Sequence, residues 1–94
     1  MTDYLSNDAL LIRSQVDESL VPPDSSDLFL IYAVLLRAKG ETVTAPDVHD
    51  AWVAWMHIRG VSHDSSIPFD DLDEETQDED SPFVLAIRRA AALR

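Results

Sequence analysis

The 94-residue chain holds 18 Asp and Glu residues against seven Lys and Arg, which gives a formal charge of −11 at neutral pH. This charge repels nucleic-acid phosphates and anionic lipids, so it argues against direct nucleic-acid binding and against binding to a membrane surface. The sequence contains no cysteine, which excludes disulfides, thiolate metal sites and cysteine nucleophiles, and its length suits a single domain.

The first predicted element is a helix over residues 3–20. One apolar stripe runs through it at helical spacing: Leu5, Ala9, Ile12, Val16 and Leu20. Asp3 suits the positive end of the helix dipole. The prolines at positions 22 and 23 end the helix, because proline lacks an N–H and restricts the residue before it.

A second helix is predicted to start at a cap formed by Ser25 or Ser26 and to end before Gly40. Its apolar run over residues 28–36 has no polar side, so we expect it to be the central and most buried element. Residues 41–43 are predicted to form a short extended link.

The third helix is predicted over residues 46–59, with Pro46 at its start and Gly60 after its end. Trp52 and Trp55 lie within it and could form a platform for a ligand. Large aromatic residues at helical spacing are more often part of a core, so we expect both side chains to face inward.

Residues 64–80, here named the acidic segment, hold half of the acids in the chain. The acids stand at positions 64, 70, 71, 73, 74, 75, 78, 79 and 80. Ile67, Phe69 and Leu72 interrupt them, and apolar side chains within an acidic run are typical of a loop pinned to the core. We therefore expect Phe69 and Leu72 to be buried, with a short helical turn over residues 70–75.

The last helix is predicted to begin with Ser81 as its N-cap and Pro82 as its first residue. Its inner face comprises Phe83, Ile87, Ala90 and Ala91. The sequence thus predicts an all-α fold, in which residues 1–94 form one domain of four main helices with an acidic, partly ordered loop before the last helix.

The three histidines do not form a metal-binding pattern. His49 and His57 are eight positions apart, whereas a zinc pair on one helix has i, i+4 spacing. We interpret both as helix-surface residues and His63 as a loop residue, and we expect no metal site.

The acidic segment does not match a calcium loop either. Asp71, Asp73 and Glu75 alternate as in an EF-hand, but Thr76 and Pro82 occupy the positions that require Gly and Glu. With two glycines in the chain, a Gly-rich phosphate loop is excluded. The acids are interpreted as a solvated face, and the sequence predicts a protein without enzymatic activity and without a cofactor.

Several residues resemble the ryanodine-receptor repeat domain over about residues 48–90. They are His49 and Trp52 in a His-x-x-Trp pattern, a stretch that starts at His63 and ends in Ile67-Pro68-Phe69-Asp70-x-Leu72, and a helix opened by Asp80. The hairpin between the motifs, here residues 56–61, is shorter than in that family. The resemblance implies a non-catalytic interaction module in which His49, Trp52, Pro68, Phe69 and Leu72 are structural positions.

The whole chain also resembles small uncharacterised proteins of actinobacteria and their phages. The similarity lies in residues 28–40 and 48–52. It implies a phage or prophage accessory protein that binds a host protein, and we expect such a protein to act in the cytoplasm. The longest apolar run, residues 28–36, is too short to cross a bilayer, and Asp3 argues against a signal peptide.

The preferred functional hypothesis is therefore a protein that binds a host protein, expected to be basic, through its acidic face. The predicted partner-binding residues are Asp70, Asp71, Asp73, Glu74, Glu75 and Asp78. A special case is a nucleic-acid mimic that blocks a DNA-binding protein. The alternatives are a small-ligand sensor of the ryanodine-receptor repeat type with a pocket lined by Trp52, Trp55 or Tyr32, and a homodimeric structural protein.

Overall fold

Helices supply all the regular structure of the computed structural model, which describes residues 3–94. The five helices are α1 (Tyr4–Ser14), α2 (Ser26–Lys39), α3 (Ala45–Ile58), the short α4 (Glu74–Asp78) and α5 (Ser81–Leu93). Three 3₁₀ turns accompany them, at Glu18–Leu20, Gly40–Thr42 and Phe69–Asp71. Residues 3–94 contain no strand, and the all-α prediction with four main helices is confirmed.

Helix α1 is shorter than the predicted 3–20. Asp3 caps its start by accepting a hydrogen bond from the Ser6 N–H at 2.8 Å. The helix ends at Ser14, and Asp17 then accepts from the Ser19 N–H at 2.9 Å and fixes a 3₁₀ turn. Val16 lies between the end of α1 and this turn, yet its side chain is buried in the core. The apolar stripe in the sequence therefore extends past the end of the helix.

Helix α2 occupies the central position, in contact with α1, α3 and α5. It is not buried all round, since Leu30 and Val34 are 39% and 52% exposed. Ser25 stands at the N-cap, but its hydroxyl donates to the Pro22 carbonyl and accepts no capping hydrogen bond from a helix N–H. The link after Gly40 was predicted as extended and is a 3₁₀ turn instead, which Gly40 permits with φ +55°.

Helices α3 and α5 begin close to their predicted starts. The Asp47 carboxylate accepts from the Thr44 N–H at 2.9 Å at the start of α3. In α5 the N-cap is Asp80 rather than the predicted Ser81, and the Asp80 side chain makes no capping hydrogen bond. That carboxylate faces His49 instead, so it serves a tertiary contact and not the helix.

The core lies where α1, α2, α3 and α5 meet. Its largest fully buried side chains are Tyr32, Ile12, Leu28, Leu36, Ile87, Val43 and Val48. The Cα radius of gyration is 12.6 Å, close to the value of about 12 Å expected for a compact chain of this length. The chain is a single all-α domain.

Two polar links join distant parts of the chain. Asp8, which is 6% exposed, accepts from Arg37 Nε at 2.7 Å and lies 3.4 Å from Arg94 Nη1. Arg88 Nε donates to the Val43 carbonyl at 2.8 Å. These contacts tie α5 and the C-terminal residue to the rest of the domain.

Candidate functional site

The acidic segment carries most of the net charge. Its nine acids and no Lys or Arg give −9, whereas the remaining residues hold nine acids and seven bases, giving −2. The backbone of the segment is locally ordered by the 3₁₀ turn Phe69–Asp71 and by α4. Asp73 caps α4 by accepting from the Thr76 N–H at 2.8 Å. Hydrogen bonds from the side chain and the backbone of Thr76 lower the pKa of Asp73.

The predicted partner-binding acids are all on the surface. Each of the six is exposed, namely Asp70, Asp71, Asp73, Glu74, Glu75 and Asp78. Within residues 3–94, the acids that contact a Lys, Arg or His nitrogen are Asp8, Asp47 and Asp80, so none of the six is paired with a described cation. Their charges are therefore not neutralised within the domain.

The acidic segment is docked on α3 through half-buried apolar residues. The turn Phe69–Asp71 contacts α3, and Gln77 Nε2 donates to the carbonyls of Phe69 and Leu72 at 3.0 and 3.2 Å. Phe69 and Leu72 are only half-buried, so the prediction that both are buried was too strong. Ile67 is 41% exposed.

His49 is the residue of α3 that holds the acidic segment. It is 3% exposed, and its Nε2 donates to the Ile67 carbonyl at 2.6 Å. The interpretation of His49 as a helix-surface residue is wrong. His49 shares a helix face with Trp52 and Met56, at i+3 and i+7, and this spacing in the sequence could have indicated its burial.

The structure brings the motif residues together around His49. Its ring stacks on Trp52, with centroids 5.8 Å apart, and lies 6.1 Å from Phe69 in an edge contact. Leu72 lies half-buried in the same segment, and Pro68 precedes the turn Phe69–Asp71 on the surface. Three of the predicted structural positions, His49, Trp52 and Phe69, thus form a cluster of rings between α3 and the turn Phe69–Asp71.

A pocket of about 210 Å³ opens beside this cluster. Seven aromatic or ionisable side chains line it: Tyr32, His49, Trp52, His63, Glu79, Asp80 and Phe83. The His63 ring lies perpendicular to Trp52 at 5.1 Å, and the Tyr32 and Phe83 rings are 5.8 Å apart. Helices α2 and α3, the loop after α3 and the start of α5 therefore all contribute to one concave surface.

Two ionisable groups of the pocket are perturbed by burial. Desolvation raises the pKa of Asp80 to about 6; nearby His49 acts in the opposite direction, and the charge of Glu79 adds a smaller upward effect. Burial, and secondarily the negative charge of Asp80, raises the pKa of Tyr32 well above its usual value. A carboxylate and a phenol with perturbed pKa values in one cleft are typical of functional sites.

Sequence reasoning found only part of this pocket. The alternative hypothesis of a ligand sensor names Tyr32, Trp52 and Trp55 as pocket residues. Tyr32 and Trp52 line the pocket, whereas Trp55 is buried elsewhere, with the Arg59 guanidinium 4.2 Å from its ring centroid. The contributions of Asp80 and His63 were missed. His57 is exposed on α3, and no group of three or more His, Asp or Glu side chains in residues 3–94 could hold a metal ion.

The fold and the site define an all-α single-domain protein with an acidic segment docked on one helix beside a small aromatic pocket. Residues 3–92 match the family described as Domain of unknown function (DUF7701), and the chain belongs to this family. No curated protein and no solved structure matches the chain. None of the helices within residues 3–94 is long and apolar enough to cross a membrane.

Proposed function

We propose that this protein is a non-catalytic binding protein that engages a basic region of a protein partner through its acidic segment. The setting suggested by the sequence resemblances is a phage or prophage accessory protein that acts on a host protein in the cytoplasm. In this proposal the residues Asp70, Asp71, Asp73, Glu74, Glu75 and Asp78 make the first electrostatic contact.

One observation carries the proposal. A charge of −9 lies on 17 consecutive residues, and the six acids are unpaired with any described cation. An ordered surface of one sign attracts a partner of the opposite sign and raises the rate of encounter. The same surface repels a second copy of itself, so a homodimer would have to use another face.

The pocket supports a second candidate, a sensor of a small ligand. Tyr32, His49 and Asp80 supply polar groups next to the rings of Trp52 and Phe83. Its volume of about 210 Å³ is below the range of roughly 300 to 1,000 Å³ that is usual for small-molecule sites. A pocket of this size suits a small group better than an entire metabolite.

The proposal is tested by comparing three proteins in affinity capture from an actinobacterial lysate at low and high salt. The neutralised variant carries Asp70→Asn, Asp71→Asn, Asp73→Asn, Glu74→Gln and Glu75→Gln. The control variant removes the same number of charges from exposed, unpaired acids elsewhere, by Glu18→Gln, Asp24→Asn, Asp27→Asn, Glu41→Gln and Asp50→Asn.

We expect one partner to be retained by the wild type and by the control variant at low salt, and to be lost from the neutralised variant. Purified partner must then bind the wild type directly. If the neutralised and control variants retain the same proteins equally well, only net charge matters and the acidic segment is not the binding surface.

A further inference from the structure

The Asp80 carboxylate faces His49 at the pocket. The Ile67 carbonyl can only accept, so Nε2 of His49, 2.6 Å away, carries a hydrogen and donates it. The other ring nitrogen, Nδ1, faces the Asp80 carboxylate, whose Oδ2 lies 3.9 Å away.

This distance is too long for a direct hydrogen bond. Both side chains are nevertheless sheltered, with 4% of the His49 side chain and 15% of the Asp80 side chain exposed. The Asp80 carboxylate makes no capping hydrogen bond to α5 either. A nitrogen cation with several N–H groups supplies donors to such a sheltered carboxylate and compensates its charge.

The aromatic wall of the pocket favours the same kind of group. Tyr32, Trp52 and Phe83 line the pocket, and aromatic rings of this kind attract cations. Tyr32 is 2% exposed, and no hydrogen bond joins its hydroxyl to another described residue, so its oxygen is available as a further acceptor. Glu79 adds negative charge at the rim, and no Lys or Arg is among the described residues that line the pocket.

We propose that this pocket binds the cationic end of an arginine or lysine side chain carried by the basic protein partner. The inference rests on the proposed function and specifies it, because it places one anchoring residue of the partner between Asp80, His49 and the aromatic wall. The acidic segment attracts the partner, and the pocket then holds one of its cations. Because the bound cation is partly desolvated, its removal affects dissociation more than association.

The first test is a titration of the isotope-labelled full chain, followed through the indole N–H signals of Trp52 and Trp55. The probes are N-acetyl-arginine methylamide, the lysine equivalent, and N-acetyl-citrulline methylamide, a neutral analogue of the arginine probe. We expect the cationic probes to shift the Trp52 signal saturably and to leave Trp55, which lies outside the pocket, unmoved. Equal binding of the citrulline probe would overturn the proposal.

The second test uses matched variants. Asp80→Asn keeps the shape of the side chain but removes its charge, whereas Asp50→Asn makes the same change at an exposed site outside the pocket and outside the acidic segment. We expect about tenfold weaker binding of the cationic probe by Asp80→Asn and about twofold or less by Asp50→Asn. Tyr32→Phe, which removes only the hydroxyl, should weaken binding to an intermediate extent. Equal effects of Asp80→Asn and Asp50→Asn would contradict a site at the pocket.

Binding of the captured partner to these variants distinguishes a failure of this proposal from a failure of the proposed function. If the partner dissociates faster from Asp80→Asn but not from Asp50→Asn, the anchoring role is supported. If Asp80→Asn weakens binding of the cationic probes but leaves the partner complex unchanged, the pocket binds a free small cation. The proposal that the cation belongs to an arginine or lysine side chain of the partner is then wrong, while the acidic segment keeps its role. If the neutralised and control variants behave alike, the proposed function fails, whatever the pocket binds.

Discussion

The helical framework and the acidic segment are held in place by different interactions. Each of the four main helices places apolar side chains in the core, and Ile12, Leu36, Val48 and Ile87 are at most 1% exposed. In the acidic segment no residue is buried, and its contacts with α3 are half-buried apolar side chains and the hydrogen bond from His49. Stability is therefore concentrated in the framework, and the segment is free to present charge.

This difference has a consequence for dynamics. Regions with few buried apolar contacts open locally at a lower free-energy cost than the core does. Amides of the acidic segment should therefore exchange hydrogen faster than those of α2, even though both have regular backbone hydrogen bonds. Substitutions in each region test this comparison.

The largest effect is expected in the framework. Ile87 is fully buried on α5, whereas Leu85 on the same helix is 49% exposed. Ile87→Ala should lower the free energy of unfolding by about 2–5 kcal/mol, and Leu85→Ala by about 0.5 kcal/mol or less. Urea denaturation measures both, and similar losses for the two variants would show that the framework is not packed as described.

A smaller effect is expected for the apolar anchor of the acidic segment. Leu72 is half-buried, so Leu72→Ala should cost about 1–2 kcal/mol, less than a fully buried leucine. The matched control is Ile67→Ala, at a site that is 41% exposed. Hydrogen exchange should accelerate in residues 64–80 and not in α2. A loss of stability below about 0.5 kcal/mol for Leu72→Ala would show that the segment is merely tethered.

His49 is expected to contribute a single hydrogen bond between the two regions. His49→Phe keeps an aromatic ring next to Trp52 but removes the donor to the Ile67 carbonyl. We expect a loss of about 1 kcal/mol and faster exchange in the acidic segment. His57→Phe, on the exposed side of α3, is the control. If the amides of the acidic segment exchange equally fast in the two variants, the hydrogen bond from His49 does not hold the segment.

The smallest effect is a pH dependence from Asp80. Its pKa of about 6 in the folded protein lies above the ordinary value of 3.8, so between these values the folded state binds a proton that the unfolded state does not. This group alone therefore raises stability as the pH falls from 7 to about 4. The other titratable side chains that line the pocket with Asp80 are Tyr32, His49, His63 and Glu79.

Asp80→Asn removes this dependence and should be slightly more stable than the wild type at pH 7, by about 1 kcal/mol or less after solvent screening. The difference between the stability profiles of the two proteins isolates Asp80 from the other carboxylates. Asp78→Asn serves as the control for net charge. A difference in unfolding free energy between the wild type and Asp80→Asn that stays constant from pH 4 to 7 would contradict a raised pKa for Asp80.

The sequence predicted those parts of the fold that are determined locally. Proline and glycine positions and capping residues placed three helices within a few residues of their observed bounds. The end of α1 was missed, because Val16 fits the helical stripe although it reaches the core from a turn. The burial of His49 depends on a carbonyl 18 residues further along the chain, a contact that no local pattern specifies.

The site was predicted less completely, because it too depends on contacts between residues that are distant in the sequence. A surface position for the six acids follows from their density, and none of them is buried in the structure. The pocket, in contrast, combines Tyr32 of α2 with His49 and Trp52 of α3 and with Asp80 at the start of α5. The role of Asp80 in particular was missed, because Ser81 is the predicted N-cap and Asp80 is interpreted as one of the acids of a solvated face.

The central claim is that the acidic segment is a binding surface whose charge the fold does not need. The most direct test measures, on the neutralised variant, both its unfolding free energy and its association rate with the purified partner over a range of salt concentrations. Exposed charges act through long-range attraction that is screened beyond about 8 Å at physiological salt. We expect association at low salt to slow about tenfold and its salt dependence to flatten. Stability should be unchanged or higher, because Asp73→Asn keeps a side chain that can cap α4 and because self-repulsion falls. An unchanged rate and salt slope, or a loss of stability comparable to that of Ile87→Ala, would contradict the claim.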